Sequence, residues 1–275
     1  MHRVFTRALI ITAVASAPAW AQQAGQPQTQ QAPATNSSAR PGGARQIEPR
    51  ADQVMHQMSD YLAGLHTMRV DTRAVDEVVL QDGQKIEQIS ESRLSVARPN
   101  KVHSERSGAS RDVDFKYDGH QFSVSGSRGF YATVEAPPRL DDAIDTLRTR
   151  YGIEVPAVDL IMSRPYDALM EDAQTGRYVG TEQLDGVSTH HLAFTGPEVD
   201  WQIWVRDGAA PLPMRFVITS KTERSQPQFA VDLTNWQTNP RIGANEFAFT
   251  PPANARRIQL LPVAPRSGSN ERQGR

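Results

Sequence analysis

The chain has 275 residues, with 30 Lys and Arg against 31 Asp and Glu, a formal charge of −1, and no cysteine. The near-balance gives no electrostatic case for nucleic acid, which needs a concentrated basic surface. The missing cysteine excludes disulfides, thiolate metal sites, a Cys nucleophile and the Cys-linked lipid of a lipoprotein anchor.

In chain order, the first element is a secretory signal. Arg3 and Arg7 give a positive start, Ala8 to Ala17 form a short apolar run, and Ala19-Trp20-Ala21 puts small residues at the two positions a signal peptidase reads. Cleavage after Ala21 is therefore expected. The run is too short for a membrane span, which takes about 20 apolar residues. No later segment is long and apolar enough, so an exported periplasmic protein is expected rather than an integral membrane protein. Residues 22–47, rich in Gln, Ala, Pro, Ser and Gly, read as a disordered linker, and 266–275 as a disordered tail, because neither can bury enough surface to offset its ordering entropy. One β-rich domain, 48–265, is expected between them.

The folded part opens on a helix from Ala51 to about Leu65, where Val54, Met58, Tyr61, Leu62 and Leu65 recur at spacings of three and four. Period two follows: Met68, Val70, Thr72 and Ala74 alternate with Arg69, Asp71 and Arg73 up to the turn Asp82-Gly83. Asp-Gly recurs at Asp118-Gly119, Asp185-Gly186 and Asp207-Gly208, each between stretches of strand character. That repetition predicts an antiparallel meander rather than a parallel sheet with helical crossovers.

A helical insert interrupts it. Pro137-Pro138 stops a strand, and Leu140, Ile144, Leu147 and Tyr151 then share one helical face up to Gly152. Short helices are expected over Pro156–Ser163 and Tyr166–Asp172. Strands resume over Arg177–Gln183, Ser188–Thr195, Asp200–Arg206, Pro213–Thr222 and Gln228–Gln237. About ten strands in one sheet tend to curl. The expected fold is thus β-rich α+β: a curled antiparallel sheet with an N-terminal helix and the insert packed on its concave face.

No catalytic motif emerges, and no metal or cofactor is expected. Gly126-Ser127-Arg128-Gly129 lacks the nucleophile-elbow spacing, and there is no phosphate loop or His-Glu-x-x-His. His190-His191 is the most tempting pair for a metal. Adjacent strand residues point to opposite faces, so the two rings are not expected to converge on one ion. Asp112 with Asp114, and Asp141 with Asp145, share faces and read as solvated carboxylates. Trp201 and Trp204, three apart in a strand, face opposite sides, one of them towards the core. Leu140, Ile144, Leu147, Tyr151, Trp201 and Trp204 are the candidate lining of an apolar ligand cavity.

The segment Leu140 to Pro156, the run His190 to Phe194, Asp200 to Gly208, Pro211-Leu212-Pro213, Phe247 to Pro252 and Arg257-Ile258 resemble the hallmark stretches of a family of predicted periplasmic proteins of unknown function. The resemblance spans Pro49 to Pro262 and brings no catalytic residues. That family looks related to the LolA/LolB superfamily of lipoprotein carriers and receptors. The relation implies an unclosed β-barrel with helices as a lid over an apolar cavity. It also implies a non-enzymatic carrier or binder of a lipid, acyl chain or lipidated protein. The alternative is an envelope sensor or regulatory module on the same fold, with another envelope protein as partner.

Overall fold

A computed structural model describes residues 45–108, 112–153 and 155–263. The segment expected to be an export signal, the expected tail and all but the last residues of the expected linker lie outside the described residues. Thirteen strands form one mixed sheet: β1 (Gln46–Ile47), β2 (Thr67–Val79), β3 (Lys85–Ala97), β4 (Lys101–Gly108), β5 (Val113–Tyr117), β6 (Gln121–Gly126), β7 (Phe130–Glu135), β8 (Thr175–Leu184), β9 (Val187–Thr195), β10 (Val199–Arg206), β11 (Pro213–Ser220), β12 (Gln228–Thr238) and β13 (Arg256–Arg257). Helix α1 (Pro49–Gly64) precedes β2. Between β7 and β8 lie α2 (Leu140–Tyr151), a 3-10 turn (Val158–Ile161) and α3 (Pro165–Met170).

The sheet is two meanders, β2 to β7 and β8 to β12, joined where β12 pairs with β2. All four Asp-Gly turns close hairpins, and their glycines sit at φ of 90°, 96°, 78° and 107°, a region open to glycine at little cost. The edges carry two features that the alternation pattern does not announce. Gln46–Ile47, at the end of the compositional linker, pairs parallel with β8, and β13 pairs parallel with β7. These two edges do not pair with each other, so the barrel is unclosed.

Alternation along the strands sorts residues onto two faces. Met68 and Val70, Val96, Tyr117 and Leu192 point inwards and belong to one apolar cluster with α1 and the insert. Helix α1 contributes Val54, Met55, Met58 and Leu62, all fully buried, each stabilising the fold by about 1.5–3 kcal/mol. Of the short helices, the first is reduced to a 3-10 turn. Ala157 takes a left-handed conformation, φ 64°, which an α-helix starting at Pro156 cannot contain.

Beyond β12 the chain straps the outer face. Asn239 ties it to the start of β2, its N–H donating to the Thr67 carbonyl at 2.8 Å and its Oδ1 accepting the His66 N–H at 2.9 Å. Glu246 then accepts from Arg69 at 3.1 Å and from Ser95 Oγ at 2.9 Å. Phe247 is buried, Lys116 donates to the Ala248 carbonyl, and Val263 N–H reaches the Arg150 carbonyl at the end of α2.

Beneath this strap His103 is almost sealed, its side chain 9% exposed, with Nε2 3.0 Å from Asp114 and Nδ1 3.4 Å from Glu246. The hydrogen bond to Asp114 raises its pKa above the ordinary value; partial burial and Lys116 oppose this, and the charges of Asp114 and Glu105 reinforce it. A raised folded-state pKa means stability that is complete below the unfolded value, about 6.5, and lost as pH rises through the folded value. Hydrogen exchange of the strap is therefore expected to quicken as pH climbs from 6 towards 8, after correction for intrinsic rates, roughly the window around a raised histidine pKa. His103→Gln should flatten that dependence. A pH-independent strap in the native protein would contradict the assignment.

Candidate functional site

The insert is built as one piece. Helix α2 begins after Pro137-Pro138 and ends at Gly152, φ 62°, whose N–H returns to the Arg148 carbonyl. Asp141 accepts both the backbone N–H and the hydroxyl of Ser163. Arg148 and Asp159 form an ion pair at 2.9 Å, with side chains only 12% and 8% exposed. α3 meets α1 through Tyr166, whose hydroxyl donates to Asp52 at 2.5 Å and whose ring stacks on His56 with centroids 3.7 Å apart. Burial and the Asp52 carboxylate push the Tyr166 hydroxyl up to about 12.

The apolar stripe of α2 faces inwards. Leu140, Ile144, Leu147 and Tyr151 are all buried in the cluster that also contains Trp201. Trp201 stacks on Phe194 at 4.0 Å and meets Phe216 edge-on at 5.6 Å. A cavity of about 40 Å³ lies where α3 meets β10 and β11. Ala168, Leu169, Val199, Trp201, Phe216 and Ile218 form its apolar lining, and Asp159, Glu171, Asp172 and Glu198 also line it.

Trp204 is not part of this assembly. It pairs across the strands with His191 and Arg215 on the outer face, as the three-residue spacing from Trp201 requires. There it stacks on His191 at 4.0 Å and donates through Nε1 to Glu182 at 2.8 Å. Hydrogen bonds from Trp204 first, and from His191 second, hold the Glu182 carboxyl below its usual range against a small burial penalty. The expected cavity lining is corrected here: of the six residues, only Trp201 borders the cavity at α3. Leu140, Ile144, Leu147 and Tyr151 are packed in the core away from it, and the sheet itself separates Trp204 from the other five.

His190 and His191 stand on opposite faces. His190 Nδ1 is 3.0 Å from the Tyr178 hydroxyl and Nε2 is 3.2 Å from Asp207, whereas His191 Nδ1 lies 2.8 Å from Glu182. Among the described residues no group of three or more His, Asp or Glu side chains is arranged to hold a metal ion. Two of the carboxylates read as solvated are structural: Asp114 bonds His103, and Asp141 bonds Ser163. A wider, polar groove of about 840 Å³ lies elsewhere on the sheet, lined by Arg73, Arg93 and Arg106 and by carboxylates including Asp112, Asp185 and Asp232.

Leu169, Phe216 and Ile218 were not singled out by sequence. Alternation in Pro213–Thr222 does put Phe216 and Ile218 on one face, but nothing in sequence says which helix covers them. Among the described residues no helix is long and apolar enough to cross a membrane.

Comparison with known proteins finds one family match: residues 51–261 fit the family described as predicted periplasmic protein, DUF2092. No curated protein sequence matches. Among solved structures the chain is similar to the lipoprotein LppX of Mycobacterium tuberculosis, at 16% identity over 72% of this chain and 99% of that one, with a TM-score of 0.47. It is also similar to LprF of Mycobacterium bovis, at 15% identity over 78% and 100%, TM-score 0.41. A LolA-superfamily protein of Nitrosomonas europaea gives 11% identity over 72% and 97%, TM-score 0.39. Likenesses of this degree say nothing about what the chain binds.

Proposed function

The chain belongs to the DUF2092 family of predicted periplasmic proteins, and from that premise we propose that it is a non-enzymatic binder or carrier of an amphiphile, a lipid or lipidated protein, whose apolar part lodges between the insert and the inner face of the sheet. The observation that carries this reading is the apolar seam between α3 and β10–β11, a gap of about 40 Å³ walled by Leu169, Trp201, Phe216 and Ile218.

Pockets that enclose a small molecule measure about 300–1,000 Å³. The seam is the closed state, and a ligand enters by widening it. Arg148–Asp159 and Asp141–Ser163 hold the insert together as a unit. Its side chains at the seam are apolar and can slide against the sheet, while the bonds Tyr166–Asp52 and Val263–Arg150 tie it to α1 and to the strap and must yield or act as the pivot. Each buried methylene returns about 0.8 kcal/mol, so a chain of ordinary length offsets the opening.

The test is fluorescence. A bromine-tagged fatty acyl probe is expected to quench Trp201, and Trp201→Phe should remove the saturable part of the quenching. A folded protein that takes up no probe would overturn the proposal. That outcome favours the second reading, an envelope sensor or regulatory module. Its support is the polar groove of about 840 Å³, whose arginines and carboxylates suit a protein surface.

Export is part of the proposal. N-terminal sequencing of the protein recovered from the periplasm is expected to begin at Gln22. An intact Met1 chain retained in the membrane fraction would refute cleavage after Ala21.

A further inference from the structure

We propose that the ligand site does not end at the seam: an acyl chain continues over Ile218 and Phe229 to Val78 and Ile86 at the far end of the β2–β3 hairpin. Its methyl end lies in the seam and its polar end at the hairpin. The proposal rests on the amphiphile reading above and adds the length and direction of the chain.

The path follows from register. Trp201 pairs with Ile218, and Ile218 with Phe229, so the three stand side by side on the inner face of β10, β11 and β12. Trp201 and Ile218 already wall the seam. Phe229 in turn pairs with Asp76 on β2, and Val78, two residues further, points to the same face. That diagonal is within reach of an aromatic ring. Val78 pairs with Ile86 on β3. From β10 to β3 is four strand spacings, about 19 Å, the reach of a long acyl chain.

The far half of this path is open. β12 pairs with β2 only as far as Asp76, and beyond it Val78 is half-buried and Ile86 is 36% exposed. Beside the path the same face is polar, with Gln88, Ser90 and Ser92 on β3 and Arg106 on β4, so the apolar stripe is narrow. Asp76 marks its border. Burial pushes the Asp76 carboxyl above its ordinary range; the charge of Arg106 opposes this and that of Glu223 reinforces it. The ground beside Phe229 is therefore short of water.

A single alkyl chain is the occupant that fits. A stable protein interface takes about 800 Å² a side, and Val78, Leu80 and Ile86 offer a small part of that. An anionic membrane surface would meet Glu77, Asp82 and Glu87 at the tip, where Lys85 is already bonded to Glu77. Enclosure sets the direction. The seam is walled by the insert and the sheet together, whereas the hairpin is open to water, where a polar end belongs.

The experiment uses ω-bromodecanoate and ω-bromohexadecanoate, each below its micelle concentration, with quenching of Trp201 as the readout. A fully buried methylene is worth about fourfold, so six more, half-covered, should make the longer probe bind about fiftyfold more tightly. The double variant Val78→Ser, Ile86→Ser should lose about tenfold for the longer probe and less than about twofold for the shorter. Should that variant not fold, Ile86→Ser alone, at an exposed position, should lose about threefold for the longer probe. Ile89→Ser, on the opposite face of the same hairpin and 42% exposed, should change neither affinity. Equal losses for the inner and outer variants, or an unchanged affinity for the longer probe in the inner ones, would overturn the path and leave the seam reading standing. Failure of both probes to quench the folded native protein would overturn the seam reading, and the path with it.

Discussion

Ile144→Asp is expected to destabilise the protein by about 3–5 kcal/mol, because it places an unpaired carboxylate in a packed apolar environment. Ile144 lies at the centre of the α2 stripe, 5% exposed, among residues of the same cluster that holds Trp201. In a domain of this size each kcal/mol moves the midpoint by about 2–4 °C, so thermal unfolding should shift down by roughly 10 °C. Ile144→Val, which removes one methylene, should cost about 1 kcal/mol. A small shift for the aspartate variant would mean that α2 roofs a wet space, and its stripe would then be a ligand surface instead of core.

Breaking the ion pair inside the insert is expected to be almost as damaging. Arg148→Ala leaves Asp159 with its charge largely out of water, and removing one partner of a buried pair costs about 3–5 kcal/mol. Replacing both, Arg148→Met with Asp159→Leu, should restore most of the stability, since neither desolvated charge remains. Denaturant unfolding of the single and double variants provides the cycle. Equal losses in both would show that the pair acts through the shape of its side chains and not through its charge. The single variant should also loosen the joint between α2 and the 3-10 turn, so probe uptake at the seam should become faster.

Much of the architecture could be read from residues because its signals are local. The four Asp-Gly turns announce their hairpins, and alternation such as Met68, Val70 and Ala74 reports which face is buried. The α2 stripe likewise predicts a buried helix ended by Gly152. What stayed hidden is long-range. The parallel pairing of Gln46–Ile47 with β8 depends on a strand some 130 positions away, and a two-residue strand carries no period at all. The strap over the outer face is invisible for the same reason. Asn239, Glu246 and Phe247 look like loop residues until His66, Arg69, Ser95 and His103 are placed beneath them. At the candidate site, spacing alone separated Trp201 from Trp204 by face. Which of them looked inwards was decided by their partners: Phe194 and Phe216 for one, His191 and Glu182 for the other.

The seam between β12 and β2 has a kinetic consequence. It joins the last long strand to the first, so that Thr234 hydrogen-bonds to Asp71 across 163 residues. Until β12 arrives, β2 has a partner on one side only, and the central strand of the finished sheet is an open edge. Such an edge invites pairing with other chains, and closing so long a loop is slow. Neither meander can reach its final protected state alone. Assembly waits for the C-terminal part of the chain, and a polypeptide cut short before Gln228 would carry a β2 left permanently open on its β12 side and be prone to aggregate or to be degraded.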